Sequence, residues 1–403
     1  MTGLTLDGNG SFLQAYVLEH LGLRISRATT VGDEKEEITK ALLEISARAD
    51  VLVVSGGLGP TADDLTAECA AQAAQLPMVL SAEILQSLEA RARRLGFRLT
   101  EGAQKQALIP QGARYVLGTL GSAPMLQLRI ADCEVFLLPG IPHEFRAFVE
   151  ENLLGFLEAR CLPQEGRLFR KLRRLQCMGL PESLVDEAMA PVAASFPEVK
   201  VGFRARMPGV EVKLLCEAKT PKALAKLEEA VLAKTYQALG PVVFGEGELS
   251  IGECLTGLLL ERGQTLGVAE SCTGGHIAAA LTAKAGASRC FLGSAVVYSG
   301  KAKHLWAKVP KEALEAHGEV SAEAARLLAQ GARHTLGADW GLSAVGYAGP
   351  TGEAGLFFLA CAGPHGFLRE ARAFWPSERK AFQAMVAARA LHLLRSCLLG
   401  SEG

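Results

Sequence analysis

Short runs of aliphatic and β-branched residues that end in glycine recur along this chain, and a helical pattern follows most of them. In the first half the runs read VLVVSGG at 51–57 and EVFLLPG at 134–140. Beyond residue 250 they read GQTLGVAE, FLGSAVVYS, GLSAVGYAG and LFFLACAG, with alanine-rich helical segments between them. Strands that alternate with helices are typical of parallel sheets covered on both faces. The pattern therefore predicts two doubly wound α/β domains.

The segment between these domains has a different pattern. Two strand patterns, VKVGFRAR at 199–206 and VEVKLLCEA at 210–218, lie between a helix that begins near Pro181 and a helix that runs from Pro221 to about Leu239. This order predicts a small α+β module that resembles KH-type folds. The module lacks a GxxG loop between its helices, so we do not expect it to bind RNA. We expect a packing or dimerisation role instead, with a homodimer as the assembly.

Length and composition limit the class of protein. The chain has 403 residues, 49% hydrophobic and 21% charged, enough apolar material for two or three packed domains. Its formal net charge of −1 provides no overall field for nucleic acid or an anionic membrane. Its ten cysteines include no CxxC pair, and we expect reduced thiols in a cytoplasmic protein without a membrane span. The predicted domains are 1–163, 167–245 and 250–400, with linkers marked by Pro163, Gly166 and GEGELS at 245–250.

The segment VAESCTGG at 268–275 carries the clearest chemical signal. A strand pattern passes through Glu270 and Ser271 into paired glycines and an alanine-rich helix. The first N–H groups of a helix lack partners within the helix, and the helix dipole favours negative charge there. A hydroxyl at that position suits acyl or phosphate chemistry. A Ser/Thr helix cap followed by glycines for close packing is the alternative explanation.

Three further motifs follow in a fixed order, YSGKAK at 298–303, GEVS at 318–321 and GYAGPTG at 346–352. With AESCTGG they resemble the nicotinamide mononucleotide deamidase domain of the CinA (competence/damage-inducible protein A) family, whose pattern runs AESCTGG, YSNxxK, GxVS and GxAGPxG. The resemblance covers most of 250–400. It implies hydrolysis of nicotinamide mononucleotide to nicotinate mononucleotide and ammonia, with no metal or other cofactor in this domain.

The resemblance also implies roles for individual residues. Hydrolysis of a carboxamide needs a nucleophile, a base and donors for the oxyanion. Ser271 is the expected nucleophile and Lys303 the expected base, because a lysine in an apolar pocket can lose its proton. Tyr298 would orient Lys303 or the amide, and Thr273 would assist by hydrogen bonding. The residues expected to bind substrate are Glu270, Gly274, Gly275, Val320, Ser321 and Gly349.

Other side chains near these motifs are weaker candidates. Cys272 stays an alternative nucleophile, because a helix N-terminus can favour a thiolate. Neither His276 nor His304 has the setting of a Ser/His/Asp triad, and we expect structural positions for both. Two residues depart from the family pattern, with Gly300 in place of Asn and Thr351 in place of Asp. The chain also lacks the family's glycine-rich KPxGT stretch before LFFLA.

The first domain carries its own set of motifs: VGDEKEEI at 31–38, SGGLGPTADDLT at 55–66, KQALIPQGA at 105–113 and LLPGIPHEF at 137–145. They resemble the molybdopterin-binding-like domain that precedes the deamidase domain in CinA proteins. The resemblance implies an ADP-ribose pyrophosphatase that uses Mg²⁺ or a similar divalent metal. In that case Gly56, Gly57 and Gly59 would hold the pyrophosphate, and Asp64 and Asp33 the metal. Alternatively, Asp63, Asp64 and Thr66 cap the helix that follows.

The beginning of the chain departs from the family pattern. Family members start with a strand and a GTELLxG loop, whereas this chain reads MTGLTLDGN, with Asp7 and Asn9 already at the next turn. The first strand of the domain is therefore missing from this sequence, and we expect either that the true start lies upstream or that the domain has lost its activity. A scaffold or nucleotide-binding protein linked to competence or DNA repair is the alternative for the whole chain. The intact Ser271, Tyr298 and Lys303 favour the enzyme.

Overall fold

A computed structural model describes residues 7–161, 168–349 and 353–400 of the chain. The chain divides into two compact units, Met1–Lys171 and Leu172–Gly403. No helix in the described ranges is both long and apolar enough to cross a bilayer. Four residues named above, Pro163, Gly166, Thr351 and Gly352, lie outside the described ranges, as does the stretch before Asp7.

The first unit contains a mixed sheet with helices packed around it. Its strands are Val51–Ser55 (β1), Met78–Leu80 (β2), Leu108–Pro110 (β3), Arg114–Val116 (β4), Met125–Ile130 (β5) and Cys133–Leu138 (β6). Its helices are Gly8–Leu21 (α1), Lys35–Ser46 (α2), Thr66–Ala73 (α3), Ala82–Arg94 (α4), Glu101–Gln104 (α5), Pro142–Phe148 (α6) and Leu154–Cys161 (α7).

The main sheet of this unit has the order β1-β6-β5-β4, and only part of it is parallel. β1 and β6 pair in parallel, as the two glycine-ended runs predicted. β5 pairs antiparallel with both β6 and β4. The reason is the two-residue turn between β5 and β6, which is too short for the crossover that parallel strands need. The α/β class is confirmed, with a mixed sheet in place of an all-parallel one.

The second unit begins with the small α+β module. Its elements are Phe169–Cys177 (β7), Glu182–Ser195 (α8), Val199–Arg206 (β8), Gly209–Ala218 (β9), Pro221–Leu239 (α9) and Val243–Glu246 (β10). The sheet has the order β10-β7-β9-β8. Aliphatic side chains of both helices pack against the sheet around Val185, Val212 and Val231. The predicted KH-like module is therefore present, and its two helices and central hairpin lie where the sequence places them.

The rest of the second unit is a larger α/β domain. Its strands are Leu266–Glu270 (β11), Phe291–Val296 (β12), Trp340–Gly346 (β13), Leu356–Ala362 (β14) and Leu368–Phe374 (β15), and its helices are Ile251–Arg262 (α10), His276–Thr282 (α11), Gly300–Ala307 (α12), Lys311–His317 (α13), Ala322–Leu336 (α14) and Arg379–Leu399 (α15).

Five strands of this domain form one sheet in the order β12-β11-β13-β14-β15. β11, β12 and β13 are parallel, and β14 and β15 extend the sheet antiparallel. Helices α10, α11 and α15 pack in one core cluster and α12 and α14 in another. Two core clusters that share the strands of one sheet are expected when helices cover both of its faces.

Helix α15 also ties this domain to the small module. The Arg395 guanidinium donates to the carbonyls of Pro241 and Val243, at 2.7 and 2.8 Å. On the same helix, burial lowers the pKa of His392 to about 4, and the charges of Arg395 and Arg389 add to the effect. The Nδ1 atom of His392 has no hydrogen-bond partner within the described residues.

His392 makes the second unit sensitive to acid. Between pH 6.5, the ordinary pKa of histidine, and pH 4, the unfolded chain binds a proton that the folded chain does not. Stability is therefore complete above pH 6.5 and falls with decreasing pH, by up to about 1.4 kcal/mol per pH unit. We expect His392→Leu to flatten this dependence in urea unfolding followed by tryptophan fluorescence. The exposed His334→Leu is the control, and an equal flattening there would contradict the assignment.

Candidate functional site

The predicted catalytic motifs meet at one edge of the sheet in the larger domain. β12 and β13 lie on opposite sides of β11, and all three strands are parallel. Such a switch point leaves a crevice at the carboxyl ends of the strands. Ser271 directly follows β11, while Tyr298 and Gly349 follow β12 and β13 within three residues. Three separate motifs thus converge on one crevice.

Glu270, the last residue of β11, is fully buried at this edge. Its carboxylate accepts five hydrogen bonds of 2.8–3.1 Å, from the hydroxyls of Thr273 and Ser294 and from the N–H groups of Gly275, Ile277 and Ala278. Buried charges need such partners. The carboxylate therefore takes the position at the start of α11 where we predicted a phosphate or an oxyanion.

Four residues that we predicted to contact the substrate or the transition state, Glu270, Thr273, Gly274 and Gly275, have other partners in the structure. Glu270 and Thr273 are fully buried and bonded to each other, so neither side chain faces the crevice. The N–H of Gly275 donates to Glu270, and that of Gly274 donates to the Ser271 carbonyl at 3.2 Å. Both glycines have positive φ, 60° and 100°, which explains why the turn requires glycine.

Ser271 has a different environment from its neighbours. It is 6% exposed, and its N–H donates to the Ala344 carbonyl of β13 at 3.0 Å. Its hydroxyl and the N–H of Thr273 make no hydrogen bond with any residue that the structure describes, whereas the N–H of Cys272 bonds to the thiol of the same residue. A hydroxyl and the Thr273 N–H are therefore available together at the end of the central strand, and the Cys272 N–H becomes available when it leaves the thiol.

Lys303 lies on α12 and is 1% exposed. Its Nζ atom is 3.3 Å from Oε2 of Glu319, a half-exposed residue in the loop before α14. The charge of Lys303 also lowers the pKa of the thiol of Cys272, the residue that follows Ser271. His304, the next residue, uses Nδ1 to hold the Val309 carbonyl at 2.8 Å, and His276 holds the Thr273 carbonyl. Both histidines thus have the structural contacts that we predicted.

Cys272 is the alternative nucleophile that the sequence left open. Burial raises the pKa of its thiol to about 12; its own N–H and Lys303 lower the value, and Glu270 raises it. Because the thiolate is the nucleophilic form, a thiol with this pKa is inert at neutral pH. The geometry therefore favours Ser271.

Labelling of the free thiols tests this assignment. We expect Cys272 to stay unmodified by iodoacetamide at pH 7.5 in the folded chain, and Cys272→Ala to keep ammonia release within about threefold. Cys397 is the internal control, because hydrogen bonding from the Cys361 thiol and the nearby Arg369 charge lower its pKa. Peptide mass spectrometry should show Cys397 modified first, whereas early modification of Cys272 would reinstate it as the nucleophile.

The sequence did not identify two residues of α15 that border the crevice. Arg379 donates from Nη1 to the Tyr298 hydroxyl at 3.3 Å and from Nη2 to the Gly349 carbonyl. One turn later, the Gln383 side-chain nitrogen lies 3.3 Å from where a Cβ on Gly274 would stand. Arg379 therefore links two of the predicted site residues. Its signal in the sequence is a basic residue at a helix start, which is too common to be diagnostic.

Val320 and Ser321 of the GEVS motif, which we predicted to bind substrate, have other contacts in the structure. The Ser321 hydroxyl accepts from the Ala324 N–H and donates to the Gly318 carbonyl, both at 3.1 Å, so it caps α14. Val320 packs against the apolar cluster beneath that helix. Glu319 is the member of the motif that reaches the catalytic candidates, through Lys303.

In the first unit, the glycine loop after β1 encloses its own polar side chains. Gly56 and Gly57 have positive φ, and a Cβ on Gly57 would lie 2.1 Å from Thr66 Oγ1. Asp64 accepts from the N–H and hydroxyl of Thr61, at 2.9 and 2.6 Å. Burial alone would raise the pKa of Asp64, but these hydrogen bonds and that from Gly59 outweigh it and lower the pKa.

A cavity of about 110 Å³ opens beside this loop, and its polar lining is formed by Gly57, Gly59, Asp64, Glu68 and Lys105. Lys105 holds the carbonyls of Thr61 and Asp64, at 3.2 and 2.7 Å. The two predicted metal ligands do not form a ligand set here: Asp64 is bonded within its loop, and Asp33 is exposed ahead of α2. Within the described ranges, no three His, Cys, Asp or Glu side chains are grouped to hold a metal. We therefore derive no reaction step through a metal.

Comparison with known proteins covers nearly the whole chain. Residues 249–398 match the model of the CinA C-terminal domain, residues 1–159 that of the probable molybdopterin binding domain, and residues 172–245 that of the damage-inducible protein CinA KH domain. A CinA-like protein of Myxococcus xanthus is 38% identical over an alignment of 406 positions that covers 100% of this chain and 96% of that protein. The chain belongs to the CinA family.

Two more proteins with competence-related names are similar to this chain. A CinA-like protein of Anaeromyxobacter dehalogenans is 38% identical over 408 residues, covering 99% of this chain and 97% of its own length. The crystal structure of the competence damage-inducible protein A from Klebsiella pneumoniae covers 38% of this chain and 100% of its own, at 31% identity and a TM-score of 0.36.

Gly300 departs from the CinA motif and lies within the described residues. Gly300 is the first residue of α12, and a Cβ built on it would lie 2.5 Å from Oε1 of Glu319. An Asn at this position, as in the family pattern, would therefore require the Glu319 carboxylate that pairs with Lys303 to shift. The second departure, Thr351, lies outside the described residues.

Proposed function

We propose that this chain is an amidohydrolase that converts nicotinamide mononucleotide to nicotinate mononucleotide and ammonia. The observation that supports it best is the pair of groups at the crevice: the unbonded hydroxyl of Ser271, and a lysine that is 1% exposed and acts electrostatically on the same loop. Buried lysines lose their protons more readily than exposed ones and serve as bases. The family's AESCTGG and lysine motifs supply both groups.

The reaction would proceed through an acyl-enzyme. Ser271 Oγ attacks the carboxamide carbon while its proton passes to the free amine of Lys303. The oxyanion of the tetrahedral intermediate accepts hydrogen bonds from the N–H groups of Cys272 and Thr273. When the C–N bond breaks, Lys303 returns the proton to the leaving nitrogen and ammonia departs. Water then attacks the ester carbon while Lys303 takes a proton from it. The C–O bond to Ser271 breaks, Lys303 returns that proton to Ser271 Oγ, and the carboxylic acid leaves.

Arg379 is the cation that we assign to the phosphate of the substrate. It is exposed at the crevice, and its hydrogen bonds to Tyr298 and Gly349 fix it between two motif loops. Arginine suits phosphate because its planar donors match the oxygens.

We expect Arg379→Ala to raise KM for nicotinamide mononucleotide by about tenfold or more, as loss of a charge-assisted contact implies. Steady-state kinetics against nicotinamide riboside, which lacks the phosphate, provide the comparison. We expect Arg379→Ala to change the KM for the riboside little. An equal loss with both substrates would contradict phosphate binding. The neighbouring exposed Lys380→Ala is the matched control.

Product identification tests the reaction class. The purified chain should release ammonia from nicotinamide mononucleotide and leave a product that co-elutes with nicotinate mononucleotide on anion exchange. Added hydroxylamine should divert the acyl-enzyme to a hydroxamate. Release of nicotinamide instead would indicate cleavage of the glycosidic bond and exclude an amidase.

The cavity of the first unit supports a second candidate function, nucleotide-diphosphate binding with ADP-ribose hydrolysis. Its backbone glycines and the Lys105 ammonium suit a pyrophosphate. Release of AMP from ADP-ribose, measured with Mg²⁺ or EDTA, tests it. Activity that survives Lys105→Ala unchanged would place the reaction elsewhere.

A further inference from the structure

The loop residue Glu319 and the helix residue Gly300 form a pair around Lys303. Gly300 and Lys303 are three residues apart on α12 and so share one face of the helix. The Glu319 carboxylate lies against that face, with Oε2 3.3 Å from Lys303 Nζ and Oε1 2.5 Å from where a Cβ on Gly300 would stand. With a side chain at position 300, the Glu319 carboxylate would have to shift from the position in which it contacts the lysine.

We propose that Glu319 is a positioning residue for Lys303 in this chain, and that Gly300 is its structural counterpart. The carboxylate occupies the place of the Asn side chain in the family pattern, so a neutral amide above the lysine is replaced by a negative charge. This inference rests on the proposed function, because it assigns Lys303 the task of a base. It pairs a residue at which this chain departs from the family motif, Gly300, with one at a position that the motif leaves unspecified, Glu319.

The charges around Lys303 determine which way the pH profile moves. Glu319 contacts it directly from the loop before α14. From the β11 side, the charges of Lys303 and Glu270 both act on the Cys272 thiol, and the Glu270 carboxylate is bonded to five donors of its own. At the start of α14, Glu323 is paired with Arg326. Among the residues that the structure describes, Glu319 is thus the carboxylate in contact with Lys303.

Substitution at either member of the pair should have the same effect. A rate that needs the free amine of Lys303 rises with pH as the ammonium loses its proton. Glu319→Gln removes the negative charge, so we expect the midpoint of the kcat profile to move to lower pH by about one unit, the size expected for one charge at this distance near solvent. Gly300→Asn should displace the carboxylate and move the midpoint in the same direction, with KM changed less than about threefold.

A double substitution separates this role from a general structural one. In a Glu319→Ala background, Gly300→Asn should cause no further movement of the midpoint, because the carboxylate it displaces is already gone. Glu323→Gln removes a carboxylate four residues away that does not contact Lys303, and should leave the profile in place. A Glu319→Gln profile that coincides with the wild type, or a Glu323→Gln profile that moves equally, would overturn the proposal.

A chemical readout keeps this test independent of turnover. The rate of Lys303 acetylation by N-acetoxysuccinimide, followed by peptide mass spectrometry across pH, reports how much free amine is present. We expect Glu319→Gln to raise that rate about tenfold at neutral pH relative to Lys301 in the same sample. If the wild type does not release ammonia but acetylation responds in this way, the proposed function fails and the pairing stands. If acetylation does not respond, the pairing itself is wrong.

Discussion

Replacement of Lys303 by Met should reduce ammonia release from nicotinamide mononucleotide by about a thousandfold, within the range measured for loss of a general acid–base. Lys303 is 1% exposed, and the aliphatic part of methionine fills most of the same space. The loss should fall on kcat, because the lysine moves a proton in the transition state and does not hold the phosphate. Steady-state kinetics at the pH of maximal activity measure it.

Lys301 provides the control for this experiment. It lies on the same helix but is exposed, so Lys301→Met removes one positive charge without emptying the buried position. We expect its kcat to stay within about twofold of the wild type. Unchanged tryptophan emission in Lys303→Met would show that the fold is intact. If the two variants lost activity equally, Lys303 would not be the base.

Replacement of Glu270 by Ala should destabilise the second unit by about 3–5 kcal/mol, among the largest effects expected of a single substitution. Its carboxylate satisfies five donors at the start of α11 and the end of β11. Each donor left buried without a partner costs about 1–3 kcal/mol, although water entering the cavity recovers part of that. Urea unfolding followed by tryptophan fluorescence reports on this unit, since its three tryptophans lie at 306, 340 and 375.

Glu253 is the matched control for Glu270. Its carboxylate also serves a helix N-terminus, where it forms a capping box with Ser250 on α10, but it is exposed to solvent. Because water can replace the Glu253 carboxylate, we expect Glu253→Ala to lower the free energy of unfolding by only about 1 kcal/mol. Equal losses of stability in the two variants would mean that the buried hydrogen bonds of Glu270 stabilise the unit no more than those of Glu253 do. A stable but inactive Glu270→Ala would instead restore the substrate-binding role that we first predicted.

The strands and their ends were the part of this fold that the sequence specified well. Aliphatic runs predicted β11, β12, β13 and β14, and in the structure Ser271, Tyr298 and Gly349 follow the first three of these strands at one edge of the sheet. β15 was missed, because LREARAF alternates charged and apolar residues at an exposed edge and lacks the apolar run of a central strand. The antiparallel β5 was missed because its direction follows from a two-residue turn.

Side-chain partners were the part that the sequence could not specify. The pattern identified Glu270 as important but not that the backbone folds three N–H groups onto its carboxylate. Arg379 lies more than 75 residues from Tyr298, so their contact depends on the packing of α15 against the sheet. The Glu319–Lys303 contact likewise depends on the space above Gly300. Such contacts are long-range consequences of packing, and neither periodicity nor a local motif encodes them.

The most direct test of the proposed function is ammonia release from nicotinamide mononucleotide by the purified chain in EDTA, measured beside Ser271→Ala. Ser299→Ala is the control, because that serine caps α12 close to the crevice but has no role in the chemistry. We predict turnover by the wild type in EDTA, at least about a hundredfold less by Ser271→Ala, and at most a modest loss for Ser299→Ala. Undiminished ammonia release by Ser271→Ala would contradict the assignment of this serine as the nucleophile.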